Sequence, residues 1–316
     1  MTRVAAFDCG TNSLRVLVAD LDPVAGTEAE VLREMRIVRL GEGVDRTGWI
    51  SDTAMERVLS AVDDFAVMVR DAGTSAVRFC ATSAARDAAN AADFMAGVRS
   101  RIGVEPEVLD GLEEARASYA GATRSLPEVA APRLVLDIGG GSTELILGDD
   151  HGRVLAEQSL DIGSVRLTER HLHDDPPADD QVAALVAEVD AILDHCRVPV
   201  ADARTVIGVA GTVTTVAAGV LGLATYDRDT IHHAVLRDAD VGSTVQDLVG
   251  MQVSARRELG YMHPGRADVI AGGALILERV LRRTTPDTLL VSEHDILDGI
   301  AWSLVTRPES PTSTET

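Results

Sequence analysis

The chain has 316 residues, enough for two domains of ordinary size. Its 46% hydrophobic content excludes global disorder, and only 3% aromatics means cores of Val, Leu, Ile and Ala, which favours packed α/β layers. A formal charge of −21, with no basic tract longer than Arg-Arg, argues against electrostatic binding to a nucleic acid polymer or an anionic membrane. Cys9, Cys80 and Cys196 are odd in number and far apart, so neither a disulfide framework nor a zinc spacing is visible. The first residues run straight into an apolar stretch without a signal-peptide layout, and the expected compartment is the cytoplasm.

Residues 4–20, VAAFDCGTNSLRVLVAD, combine an apolar run, an acid, a glycine-containing turn with hydroxyl and amide side chains, and a second apolar run. This predicts a strand–turn–strand hairpin. Residues 30–39 offer further strand, and Thr53-x-x-Glu56 has the form of a capping box. Behind it, Val58, Leu59, Val62, Phe65 and Val69 predict a helix ending near Gly73. A short strand over 76–81 leads to Thr82-Ser83 at the mouth of a helix carrying Arg86. A strand over 107–109 and a helix over 113–123 complete the first half, and 125–133, with two prolines, reads as a link.

Residues 134–149, LVLDIGGGSTELILGD, repeat the opening device. Superposed, Asp8 meets Asp137, Gly10 meets Gly139 and Ser13 meets Ser142. A strand over 154–160 follows, and 162–166 leads toward a helix. Asp180 is the expected cap of a helix carrying Val182, Leu185, Val186, Val189, Leu193 and Cys196. Residues 205–225 contain no charge, but five threonines and four glycines make them strand, turn and buried helix rather than a membrane span. A helix over 267–281, a strand over 288–292 and a helix over 296–305 close the pattern, with 307–316 as a disordered tail. Strands and helices alternate throughout, so the class is α/β, divided into 1–128 and 129–306. Both turns are expected to face a crevice between the halves.

The turn residues Gly10, Thr11, Asn12 and Ser13, and Gly139, Gly140, Gly141 and Ser142, offer N–H and hydroxyl donors for phosphate. The plain alternative is two tight hairpins with glycine at positive φ. Asp8 and Asp137 each end a strand and suit Mg²⁺ (or Mn²⁺), or else satisfy turn N–H groups. Glu144 points either to solvent or into the cleft. Glu113-Glu114 opens a helix, where acids are favoured by the dipole, and only one of the two need face a site. Ser83 and Arg86 could converge on an oxyanion at one helix mouth. Gly211-Thr212 opens another helix and suits a further phosphate, a nucleotide or simply tight packing. No Ser-His-Asp arrangement, P-loop or histidine metal spacing is present.

These residues together resemble the exopolyphosphatase/guanosine pentaphosphate phosphatase family, within the superfamily of actin-like ATPases and sugar kinases. The resemblance spans about residues 3–305. It is carried by DCGTNSLR from Asp8, ATSAAR from Ala81, EEAR from Glu113, DIGGGSTE from Asp137, IGSVRL from Ile162 and PGRAD from Pro264. It implies two ribonuclease-H-like domains with an interdomain cleft and Mg²⁺-dependent release of terminal phosphate from inorganic polyphosphate or guanosine pentaphosphate (pppGpp). It makes Glu114 the general base, Glu144 its partner in positioning water, Asp137 the metal ligand, and Arg86 and both turns phosphate binders. Longer family members carry an extra C-terminal helical domain, so short polyphosphates are the expected substrate. Competing readings are a superfamily kinase using ATP and a non-catalytic sensor of polyphosphate or pppGpp. Apolar helices late in the chain suggest a homodimer.

Overall fold

The computed structural model describes residues 1–306, so the expected tail at 307–316 lies outside the described residues. Strands β1 (Thr2–Cys9), β2 (Ser13–Asp22) and β3 (Thr27–Ile37) form an antiparallel meander. β4 (Ala76–Ala81) and β5 (Glu107–Val108) continue the sheet in parallel on the other side of β1. A parallel return needs a long crossover, which the Asp52–Asp71 helix supplies. The order is β3-β2-β1-β4-β5.

The second sheet repeats it. β6 (Arg133–Ile138), β7 (Thr143–Gly148) and β8 (Val154–Leu160) form the meander, and β9 (Thr205–Val209) returns parallel to β6. Beyond it lie β10 (Val235–Arg237), at the edge, and β11 (Thr288–Val291), giving the order β10-β11-β9-β6-β7-β8. Two halves with one strand order fit the expected pair of ribonuclease-H-like domains.

The cores differ in composition. All four phenylalanines, Phe7, Phe65, Phe79 and Phe94, lie in the first half, with ring centroids of Phe7 and Phe79 5.4 Å apart. The second core is aliphatic, around a buried helix at Ile270–Leu281. The halves also exchange helices. Ala115, Tyr119 and Ala122 of the Gly111–Arg124 helix pack on Val135, Ile146 and Ile207 of the second sheet. Ile296, Leu297 and Ile300 of the closing helix, Ile296–Thr306, return to Val4, Ala6 and Leu17 of the first. The two helices cross where a Cβ on Gly121 would come within 1.8 Å of the Asp295 carbonyl oxygen. A cut at residue 128 therefore passes through shared packing, with both late apolar helices covered by this chain itself. The surface expected to drive dimerisation is thus not exposed.

Several local expectations shift. Ser51, not Thr53, caps the long helix, accepting the Ala54 N–H. Ala178 precedes the Asp179–Leu193 helix, so Asp180 stabilises its first turn through the dipole, and Cys196 lies beyond its end. Residues 205–225 hold β9 and the Ala210–Val220 helix, and no helix among the described residues is long and apolar enough to cross a membrane. The helices Ala91–Ile102 and Asp238–Gly250 had no counterpart in the sequence reading.

Candidate active site

The two hairpin turns face each other across a cavity of about 90 Å³. Their backbones match: Gly10 N–H donates to Ser13 O at 2.9 Å, and Gly139 N–H donates to Ser142 O at 3.0 Å. The N–H groups of Thr11, Asn12, Gly140 and Gly141 donate to no other described residue. Successive free donors of this kind suit an anion. None of these glycines adopts positive φ. Gly140 and Gly141 are required by contact between the halves: a Cβ on Gly141 would sit 2.6 Å from both Ser83 Oγ and Thr11 Oγ1.

Asp8, Gly10, Thr11, Asn12, Ser13, Ser83, Glu114, Asp137, Gly139, Gly140, Ser142, Gly211 and Thr212 all line this cavity, so most of the expected site converges. Thr11 and Ser83 hydrogen bond to each other at 2.8 Å. Three expected residues are placed elsewhere. Gly141 faces a smaller pocket on the far side of its turn. Arg86 points to protein groups, donating to Leu109 O at 2.9 Å and to Glu114 Oε2 at 2.6 Å, rather than toward the phosphate turns. Glu144 is buried beside Asp137 and accepts the Ser159 hydroxyl at 2.7 Å.

The hairpin register explains how the two aspartates differ. Asp8 pairs directly with Arg15 across the first hairpin, and Asp137 with Glu144 across the second. Directly opposed residues on an antiparallel ladder share a face. Asp8 Oδ2 therefore receives Arg15 Nε at 2.9 Å and Nη2 at 2.6 Å, while the third nitrogen of Arg15 reaches Asp295. Asp137 has a second carboxylate opposite it and, among the described residues, only the Ser118 hydroxyl as side-chain donor.

Burial of carboxylates beside carboxylates raises their pKa values. Glu114 is pushed up to about 7, mainly by burial; Arg86 opposes the shift, and Asp137 and Asp8 add to it. Asp137 also rises to about 7, through burial and Asp295, with Ser118 and Arg15 opposing. Glu144 is raised well above the usual range by burial, then by Glu114 and Asp137. A carboxylate titrating near neutrality can accept a proton from water at neutral pH. Glu113, the other acid at this helix start, accepts the Asp110 N–H at 3.1 Å in a capping box, which leaves Glu114 to face the cavity.

A divalent cation fits this donor set. Among the described residues no group of three His, Cys, Asp or Glu side chains could hold an ion. Mg²⁺ is commonly bound by one or two carboxylates completed by water and substrate phosphate oxygens, so a full protein cage is not required. The crowding of Asp137, Glu144 and Glu114 gives such a cation an electrostatic welcome that Arg15 denies to Asp8.

Four contributors escaped the sequence reading: Arg15, Ser118, Asp295 and Arg266. Arg266 lines the cavity and lies flat on Gly211, where a Cβ would come within 2.4 Å of its guanidinium carbon. Its guanidinium makes no hydrogen bond or ion pair with another described residue, although the charges of Glu293 and Asp295 favour it from nearby. It also lines an adjoining cavity of about 490 Å³ shared with Met35, Tyr226 and Tyr261. Ala210, at the boundary of both cavities, holds a left-handed φ of 65°.

A model of the Ppx/GppA phosphatase family matches residues 18–307. The chain is 45% identical to Exopolyphosphatase 2 of Mycobacterium tuberculosis, over 96% of this chain and 99% of that one. A solved exopolyphosphatase-like protein superposes with a TM-score of 0.93 at 41% identity, covering 96% of this chain and 97% of that one. A Ppx/GppA family member from Aquifex aeolicus gives 0.81 at 29% identity, with 96% and 97% covered. With the family model spanning nearly all of it, this chain belongs to the Ppx/GppA phosphatase family.

Proposed function

We propose that this protein is an exopolyphosphatase that hydrolyses the terminal phosphoanhydride bond of short inorganic polyphosphates, dependent on Mg²⁺ or Mn²⁺. The observation that carries the reading is the position of Glu114, a buried carboxylate titrating near 7, on the cavity that both glycine turns and Asp137 share. The names of the relatives support it.

The free N–H groups of Thr11, Asn12 and Gly140 hold the terminal phosphoryl oxygens, and Arg266 takes charge further along the chain. Asp137 would hold the divalent cation, which supplies neutralisation of phosphoryl charge when bound. Glu114 accepts a proton from water as the water oxygen bonds to the terminal phosphorus. The P–O bond to the remaining chain breaks, and the shortened chain carries away the electron pair. Phosphoryl transfer asks mainly for positioning and charge neutralisation, and this site is built of both. Arg86 has a revised part: it orients Glu114 and limits the rise of its pKa. Glu144 stands opposite Asp137 across the hairpin, a second carboxyl group beside the residue that would hold the cation.

A second reading follows from the adjoining cavity. Its volume and its two tyrosines suit the base and ribose of a nucleoside polyphosphate such as pppGpp, with the phosphates in the turns. Orthophosphate release measured across polyphosphates of graded length, pppGpp and ATP, with and without Mg²⁺, tests both. Release fastest from short polyphosphate is expected. Preference for pppGpp installs the second reading. Transfer to an acceptor only from ATP would make the protein a kinase, and Mg²⁺-dependent binding without release would make it a sensor.

A further inference from the structure

Ser118 lies one helical turn beyond Glu114 on the Gly111–Arg124 helix, and residues four apart share a helix face. Its side chain is fully buried, and its O–H donates to Asp137 Oδ2. The neighbouring buried positions on this helix, Ala115, Tyr119 and Ala122, pack on the second sheet. A hydroxyl in such surroundings costs stability unless it is hydrogen bonded, and alanine has the higher helix propensity. Packing alone therefore favours Ala at 118. The serine makes sense through the carboxylate it holds.

We propose that Ser118 is a positioning residue for the divalent cation. By tying one oxygen of Asp137, it fixes the rotation of that carboxylate and leaves the other oxygen as the ligand atom. Because Glu114 and Ser118 ride on one rigid helix, the same tie fixes the spacing between the base and the cation-binding carboxylate. This inference rests on the reading of Asp137 as cation ligand. Hydrogen bonds that orient metal ligands are worth roughly 10–100-fold in metal affinity.

The test is direct Mn²⁺ binding, followed by the signal of free Mn²⁺ in electron paramagnetic resonance, to the full chain and its Ser118→Ala, Ser118→Thr and Asp137→Ala variants, with Tm measured on each without metal. Ser118→Ala is expected to weaken Mn²⁺ binding by ~10-fold or more with Tm unchanged or raised. Ser118→Thr, which keeps the hydroxyl, should bind close to the parent. In steady state, Ser118→Ala should need more Mg²⁺ for half-activation and recover most of its kcat at saturating Mg²⁺. Unaltered Mn²⁺ affinity in Ser118→Ala overturns the proposal. Weakened affinity that comes only with a lowered Tm and is not restored by Thr also overturns it, since packing would then be the cause. If Asp137→Ala binds Mn²⁺ as the parent does, the reading of Asp137 itself has failed, and the inference falls with it.

Discussion

Asp137 and Glu144 stand directly opposite each other at the end of the β6–β7 hairpin, two buried acids where the first hairpin pairs Asp8 with Arg15. The two hairpins thus carry one neutralised aspartate and one that, among the described residues, no guanidinium pairs with. Glu144 has its pKa raised well above the usual carboxylate range in the folded chain. Between its unfolded and folded pKa values the folded state binds more protons than the unfolded one, so this group's contribution to stability falls as pH rises. Glu144→Gln removes that dependence. Without divalent cation, its Tm should exceed the parent's by ~2 °C or more at pH 8, and the gap should shrink toward pH 5. A gap that does not change with pH would show that Glu144 stays ionised throughout.

Arg86 and Glu114 predict a pH profile. A general base works ionised, and Glu114 titrates at about 7, so kcat/KM should rise with pH through an inflection near 7. Arg86 favours the ionised form, by charge and by its 2.6 Å hydrogen bond. Arg86→Ala should move the inflection ~1 unit or more to higher pH. Glu114→Ala should lower kcat by ~10²–10⁴-fold with substrate binding largely kept. An Arg86→Ala enzyme that loses substrate affinity and keeps its pH profile would return Arg86 to phosphate binding.

Much of this was readable from local pattern. The two hairpins, their shared acid-and-glycine layout and the convergence of both turns follow from a repeat visible in the chain. The Asp8–Arg15 pair was also within reach, since a turn at 10–12 sets Cys9 against Leu14 and Asp8 against Arg15. So was the choice between the adjacent glutamates, because Asp110 and Glu113 have capping-box spacing and leave Glu114 over. Asp295 was not, because the residue it holds, Arg15, is 280 positions away and meets it only after the closing helix crosses back to the first sheet. Ser118 looks like any helix serine until β6 is laid against it.

The far side of the second turn carries a charge clasp between the halves. Arg166 donates to Gly141 O at 2.7 Å and reaches Asp45 and Asp87 in the first half. Arg170 pairs with Asp45 at 2.9 Å, and the Glu169 carboxylate accepts the Gly43 N–H at 3.1 Å. Asp45→Ala leaves Arg166 and Arg170 short of a partner in a partly buried place, where a broken pair costs more than at the surface. Its Tm should fall by ~2–5 °C, and amide exchange should quicken at residues 43–48 and 164–171 but not in β1. Exchange left unchanged in both segments would mean that the clasp adds nothing to the helix packing that already joins the halves.

Arg266 separates binding from folding. An unpaired, largely buried guanidinium costs stability, so removing it should not lower Tm. An anion met on the cavity wall would offset that cost. A charge-assisted hydrogen bond contributes roughly 1.5–3 kcal/mol, which corresponds to a ~10–150-fold rise in KM when it is lost. Arg266→Ala should therefore raise KM for polyphosphate within that range, with kcat changed far less and Tm equal to the parent's or higher. Arg266→Lys should recover part of the affinity but not all, since a point charge cannot reproduce the planar fork. Because Arg266 borders both cavities, the same variant compares the two substrates. A larger KM penalty on polyphosphate than on pppGpp would place the polymer's second phosphate against this residue, whereas a lowered Tm with unaltered KM would make Arg266 a packing element of Gly211 and nothing more.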